Sequence, residues 1–208
     1  MPETMILHWS PRSPYVRKVM IAAHEMGLAD RLRTVRTVVG GATPHLDLMT
    51  RNPLGKIPTL ELADGTVLYD SPVICKFLDT LHAGARLFPV GPERFTALRR
   101  LALGDGMLDV AIGWMLERLR PAERQSAPHC ALWEAKLRAC VDALEGEAAA
   151  LTAAPFGIGH IAIGVALGYL DFRFGELAWR GGHPRLAGWQ AEFDARPSVR
   201  ANLPVDDR

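Results

Sequence analysis

The chain has 208 residues, 49% of them hydrophobic and 23% charged, with 24 lysines and arginines against 23 aspartates and glutamates for a net charge of +1. That balance suits a chain that buries a core and excludes wholesale disorder; it leaves no broad cationic field for a nucleic acid or an anionic membrane. At about 100–150 residues per typical domain, the length admits one large domain or two small ones.

Met5-Ile6-Leu7-His8-Trp9 is a short apolar run suited to a buried strand. Ser13-Pro14 then opens a helix with Val16, Val19, Met20 and Ala23 at helical spacing and Gly27 closing it. Leu32 to Val39, rich in β-branched residues, predicts a second strand. Ile57 to Leu62 and Thr66 to Tyr69 flank Asp64-Gly65, a hairpin signal, and Asp70-Ser71-Pro72 begins a helix reaching about Leu81. The order is β-α-β, an irregular stretch, then β-β-α.

His82 to Pro92, holding Gly84, Pro89, Gly91 and Pro92, breaks the chain, and beyond it the strand signals stop. Helices are predicted near 93–119, 129–151, 158–174 and 183–194. Phe156 to Leu170 is the longest apolar stretch; it holds His160, falls short of the roughly 20 residues that span a bilayer, and predicts a buried core helix. The fold class expected is α/β plus all-α, with an α/β domain over 1–82 and an all-helical domain over 92–208. Cys75, Cys130 and Cys140 are odd in number, far apart and outside any C-x-x-C pairing. No disulfide framework or metal site is indicated, and a reducing, cytoplasmic compartment is expected. Met1-Pro2-Glu3-Thr4 shows no signal-peptide pattern.

Ser13 reads as a helix N-cap, with proline at the first helical position where its missing N–H costs nothing. Ser71-Pro72 repeats the arrangement after another strand, preceded by Asp70. Both are helix N-termini where backbone N–H groups and the macrodipole favour anions. Between them, Asn52-Pro-Leu-Gly-Lys-Ile-Pro58 leads into a strand, and Ile57-Pro58 is a bond that adopts cis at small cost. A cis bond there turns the Ile57 backbone groups outward, toward a peptide-like ligand.

These residues carry a resemblance. The first half resembles the thioredoxin-like domain of the glutathione transferase superfamily: Ser13-Pro14-Tyr15-Val16-Arg17-Lys18-Val19 is similar to the serine-type active-site motif, Asn52 to Pro58 to the cis-proline loop, and Asp70-Ser71 to the glutamyl-binding pair. The helical half also fits, down to Arg196-Pro197-Ser198-Val199-Arg200, and the bacterial serine-type transferases are the nearest in kind. The resemblance implies glutathione as co-substrate, with no metal. Ser13 would donate to its sulfur, and Ser10 is the rival, Ser13 being favoured because it sits at the cap. Lys56 would meet the glycyl carboxylate, Ile57 and Pro58 the cysteinyl unit, Asp70 the γ-glutamyl ammonium, and Ser71 the γ-glutamyl carboxylate. The family usually has glutamate where Asp70 stands.

The resemblance further implies that Asp105, between Gly104 and Gly106, reaches the glutathione of a partner subunit in a homodimer, an exposed helix aspartate being the alternative. Trp9, Met107, Ala111, Trp114 and Met115 offer an aromatic and flexible lining for an apolar co-substrate, or else a core stripe at helical spacing. Arg12 would steer an anionic group or remain a solvated loop residue. The position that is cysteine in glutaredoxin-like and omega-type relatives is serine here, which disfavours an enzyme mixed disulfide. Cys75, one turn into its helix, reads as a small core residue. Where the family caps the buried helix near 158–174 with Ser or Thr and Asp, this chain has Gly157 and His160, a loss of about 0.5–2 kcal/mol if uncompensated. The activity implied is transfer of glutathione sulfur to a small electrophile, as in detoxification. Glutathione-dependent isomerisation, disulfide reduction through two glutathiones, and a non-catalytic scaffold are the alternatives.

Overall fold

A computed structural model describes residues 4–40 and 43–206. They form two compact units, one running to Phe88 and resuming at Pro197, the other spanning Pro89–Arg196.

In the first unit, strand β1 (Met5–Trp9) leads into helix α1 (Pro14–Glu25) and strand β2 (Leu32–Arg36). A short helix α2 (Leu46–Met49), strands β3 (Thr59–Glu61) and β4 (Val67–Leu68), and helix α3 (Ser71–Leu78) follow. β1 runs parallel to β2, which requires a crossover such as α1, and antiparallel to β3, giving the order β2-β1-β3-β4. α1 forms as expected: Ser13 caps it, Pro14 opens it, and Val16, Val19, Ala22 and Ala23 bury one face. Gly27, at φ +67°, closes it in the left-handed region.

Two elements end earlier than their apolar patterns predict, and polar side chains take up the backbone just beyond. β2 stops at Arg36, after which the Thr37 hydroxyl donates to the Val35 carbonyl and meets His8 Nδ1. α3 stops at Leu78, and Asp79 turns its carboxylate to the Leu87 and Phe88 N–H groups at 2.8 and 3.3 Å. α2, absent from the sequence reading, forms inside the irregular stretch because His45 Nδ1 accepts the Leu48 N–H at 3.1 Å.

The second unit is helical: α4 (Glu93–Arg118), α5 (Ala127–Ala153), α6 (Ile158–Arg173) and α7 (Pro184–Asp194). α6 is buried along almost its whole length and packs on α4 and α7. On α5, Leu137, Val141, Leu144, Ala148 and Leu151 repeat at spacings of three and four to make one inward face. The Gly157–His160 departure is offset. His160 Nδ1 accepts the Gly157 N–H at 3.1 Å, and Nε2 donates to the Leu151 carbonyl at 3.0 Å. One half of a reciprocal cap is thus supplied by an imidazole. The acceptor role requires the neutral ring, and burial lowers the His160 pKa in that direction. No helix among the described residues is long and apolar enough to cross a membrane.

The short helix α8 (Pro197–Arg200) belongs to the first unit, although the sequence reading places it within the 92–208 helical stretch. It packs on α1 through fully buried Val199, and Ser198 donates to Glu25 at the end of α1.

Candidate active site

Two helix starts and one loop meet at a single edge of the first unit's sheet. β1 ends at Trp9, and the register that sets His8 opposite Thr59 brings Pro58 level with that end. β4 runs antiparallel to β3 with Leu68 opposite Leu60, so the chain leaves β4 toward the same edge and enters α3 there. The N-termini of α1 and α3 and the Ile57–Pro58 loop are thereby gathered. Side chains confirm the first of these approaches, since Ile57 packs with Val16 of α1 and Leu48 of α2, and Trp9 lies against them.

At the start of α1, Ser13 Oγ accepts the Val16 N–H at 3.3 Å. A hydroxyl accepts with its lone pairs and keeps its proton for a further acceptor, so this cap leaves Ser13 able to donate. Ser10 is buried and its Oγ accepts the Arg12 N–H at 3.4 Å, while its carbonyl accepts the Ser13 N–H at 3.2 Å. Ser13 and Arg12 are half-buried. At the start of α3, Asp70 is the exposed N-cap residue and its side chain makes no capping bond, whereas Ser71 at the first helical position is buried. Two adjacent residues therefore offer an exposed carboxylate and a helix N-terminus at one place.

The loop between them is fixed by two polar residues absent from the predicted site. Asn52, 1% exposed, donates through Nδ2 to the Lys56 carbonyl at 3.1 Å and to Thr59 Oγ1 at 2.9 Å, and its Oδ1 accepts the Leu54 N–H at 3.1 Å. Thr59 Oγ1 in turn donates to the Lys56 carbonyl at 2.8 Å. The Ile57–Pro58 bond is cis. Among the described residues, neither backbone group of Ile57 pairs with another backbone group, while the Ile57 side chain is buried. Lys56 is exposed. The available signal for Asn52 and Thr59 is a short polar side chain at each end of a Pro- and Gly-rich loop, where buried polar groups find hydrogen-bond partners.

The residues predicted from the second unit all lie on α4. Asp105 is half-buried; Met107 and Ala111 are closed off from solvent; Trp114 stacks on Phe174 at 4.7 Å between ring centroids, with the Arg118 guanidinium over both rings. Cys75 is fully buried on α3, as a core residue would be, and burial pushes the half-buried Cys140 thiol up. Among the described residues no group of three or more histidine, cysteine or carboxylate side chains is arranged to hold a metal.

Known proteins resemble this chain in sequence and fold. A family model described as glutathione S-transferase, N-terminal domain, matches residues 12–81, and one described as glutathione S-transferase, C-terminal domain, matches residues 127–191. An uncharacterised GST-like protein of Escherichia coli strain K12, YibF, is 30% identical over 203 residues, covering 96% of this chain and 98% of its own. A glutathione transferase family member from Pseudomonas fluorescens Pf-5, solved with bound glutathione, superposes with a TM-score of 0.94 at 41% identity, covering 98% of this chain and all of the other. A glutathione S-transferase from Methylobacillus flagellatus, also solved with glutathione, superposes with a TM-score of 0.89 at 33% identity over 97% of this chain. The fold and the edge site define a thioredoxin-like α/β unit joined to a helical one. The chain belongs to the glutathione S-transferase superfamily.

Proposed function

We propose that this chain is a serine-type glutathione transferase: it binds glutathione at the sheet edge of residues 1–82, holds its sulfur as a thiolate, and directs it at a small, partly apolar electrophile. The observation that carries this reading is the Ile57 backbone, which pairs with no other backbone group, on a residue that packs against Val16 in the first turn of the helix capped by Ser13, whose hydroxyl keeps a proton to donate. An extended tripeptide pairs with that backbone as an added strand. Its sulfur then falls to Ser13, whose hydroxyl and helix N-terminus both favour the thiolate over the thiol. The Asp70 carboxylate serves the γ-glutamyl ammonium, Ser71 and the α3 N-terminus the γ-glutamyl carboxylate, and Lys56 the glycyl carboxylate.

In the reaction the glutathione thiol gives its proton to solvent, the thiolate forms a carbon–sulfur bond, and the electrophile's leaving group departs with the displaced electron pair. Ser13 stabilises negative charge throughout and is not itself modified. Ser10, enclosed and turned to its own loop, supports Ser13. Trp9 and Arg12 of the first unit, and Trp114 of the second, are each assigned to the electrophile, while Met107 and Ala111, with no surface to offer, fit the core stripe that is the alternative. Exposed Phe95 and Leu116 on α4, Leu119 just past its end and Leu132 on α5 favour a homodimer, in which Asp105 serves the partner's glutathione. Cys75, Cys130 and Cys140 stand outside any disulfide, which fits a reducing cytoplasm.

Calorimetry with glutathione and an assay of its conjugation to an activated aryl chloride test the reading. Ser13→Ala is expected to lower kcat about 10²–10³-fold, the effect of one lost oxyanion donor, with glutathione affinity within a few-fold of the parent. Equal turnover by Ser13→Ala and the parent removes Ser13 from the mechanism. Absence of glutathione binding by the parent overturns the reading in favour of a scaffold.

A further inference from the structure

The segment following α8 lies along α1 in the opposite direction and ends at the candidate site. Ser198 donates to Glu25 at the last residue of α1. Four residues on, the Asn202 carbonyl accepts the Arg17 Nε–H at 2.8 Å, in the helix's second turn, while Asn202 Nδ2 donates back to the Ser198 carbonyl at 2.7 Å. Three residues further, the Val205 N–H donates to the Pro11 carbonyl at 3.3 Å. Pro11 lies inside the turn that the Ser13 N–H closes on the Ser10 carbonyl.

Two rungs therefore tie residues 201–206 to the start and the entry loop of α1, and a third, from Ser198 on α8, fastens the helix's far end. The side chains contribute little apolar burial: Leu203 is 60% exposed and Val205 53%. An element whose side chains face water while its backbone fastens the loop before Ser13 is placed to hold geometry. Reacting groups lose rate steeply when displaced by about 1 Å, and the loop between β1 and α1 sets where the Ser13 hydroxyl points.

We infer that Arg17, Asn202 and Val205 are positioning residues, and that the segment 201–206 acts as a strap that holds the Pro11–Ser13 loop for sulfur activation. The inference rests on the glutathione transferase reading for its consequence in catalysis, but not for its structural content.

Val205→Pro deletes the one N–H bonded to Pro11, and Val205→Ala keeps that N–H while trimming the side chain. Hydrogen exchange of the Arg12 and Ser13 amides, measured without ligand, should rise several-fold in Val205→Pro and stay at the parent level in Val205→Ala. With glutathione and an activated aryl chloride, Val205→Pro should lower kcat about three- to tenfold, the span that one backbone hydrogen bond supports. Its pH–rate profile should move to higher pH, with the KM for glutathione within about twofold. Arg17→Met should act in the same direction and Arg17→Lys should restore part of the loss. Identical exchange and identical pH profiles in Val205→Pro and Val205→Ala overturn the strap. A parent that turns over no glutathione sinks the functional reading alone, because the exchange comparison still decides whether the loop is held.

Discussion

The two units are held together in opposite ways. In the first, β3 and β4 are only three and two residues long, and the backbone is fastened by individual polar side chains: Asn52 and Thr59 on the Lys56 carbonyl, Asp79 on two N–H groups, and the Arg51–Glu61–His8 chain across the sheet. In the second, long helices are held by apolar burial and close approach. At Gly104 a Cβ atom would stand 2.5 Å from the Ala162 carbonyl carbon. The contrast teaches where each unit is vulnerable. On the proposed function, a lost hydrogen bond in the first displaces a backbone group that glutathione would read, so chemistry is expected to suffer before stability. A lost fit in the second leaves the hydrogen bonds around Ser13 and the Ile57–Pro58 loop untouched, so stability is expected to fall first.

A crossed pair of substitutions is the strongest way to break this contrast. Ser13→Ala should cost only about 0.5–2 kcal/mol of stability, the worth of a helix cap, against its 10²–10³-fold effect on kcat. Gly104→Ala should do the reverse. Backbone cannot yield as a flexible side chain does, so overpacking there should cost about 1–3 kcal/mol or more, while kcat at saturating glutathione falls far less than in Ser13→Ala. Urea denaturation followed beside activity reads both quantities. If Ser13→Ala loses more stability than Gly104→Ala, the contrast between the units fails.

Gly106 sharpens the same point at smaller scale. It lies two residues from Gly104 on α4, yet a Cβ added there meets nothing within 4 Å. Gly106→Ala should therefore stabilise the chain by up to about 1 kcal/mol through helix propensity alone, seen as a raised urea midpoint. The sequence shows both glycines as helix-weakening residues that invite a close neighbour. It does not reveal which face of α4 meets α6, and only that face decides.

The same limit runs through what the sequence made legible. Ser13 and Pro58 could be read directly, because caps and proline act through local backbone geometry, and so could the change from strand to helix grammar near residue 90; Ser71-Pro72 does not repeat Ser13-Pro14, since α3 starts at Ser71 with Asp70 as its N-cap. The His160 cap could not, because its second bond goes to Leu151 on another helix. Asn52 was visible as part of a motif, but its role depends on Thr59 being folded back within reach. The packing of α8 and the following segment on α1 joins residues more than 170 positions apart, and nothing in the local pattern of either announces it.

The smallest expected effect separates two histidines of the second unit. His183 Nδ1 lies 2.5 Å from the Trp179 carbonyl and Nε2 lies 2.7 Å from Asp142, so both nitrogens face acceptors and the imidazolium satisfies both. Hydrogen bonding to Asp142 raises its pKa, the Trp179 carbonyl and nearby Glu145 acting in the same sense, and Glu145 also caps the start of α7. Because the folded value lies above the unfolded one of about 6.5, this contribution is complete below that pH and is lost as pH rises through the folded value. Asp142 is largely exposed, which limits the pair to less than about 1 kcal/mol. His160 has the opposite sign: its pKa is lowered, so its contribution is present above about pH 6.5 and lost as pH falls. The stability difference between the parent and His183→Gln should therefore be largest near pH 5.5 and shrink above neutrality. A difference that grows with pH would mean the clasp between α5 and α7 is held by the neutral ring.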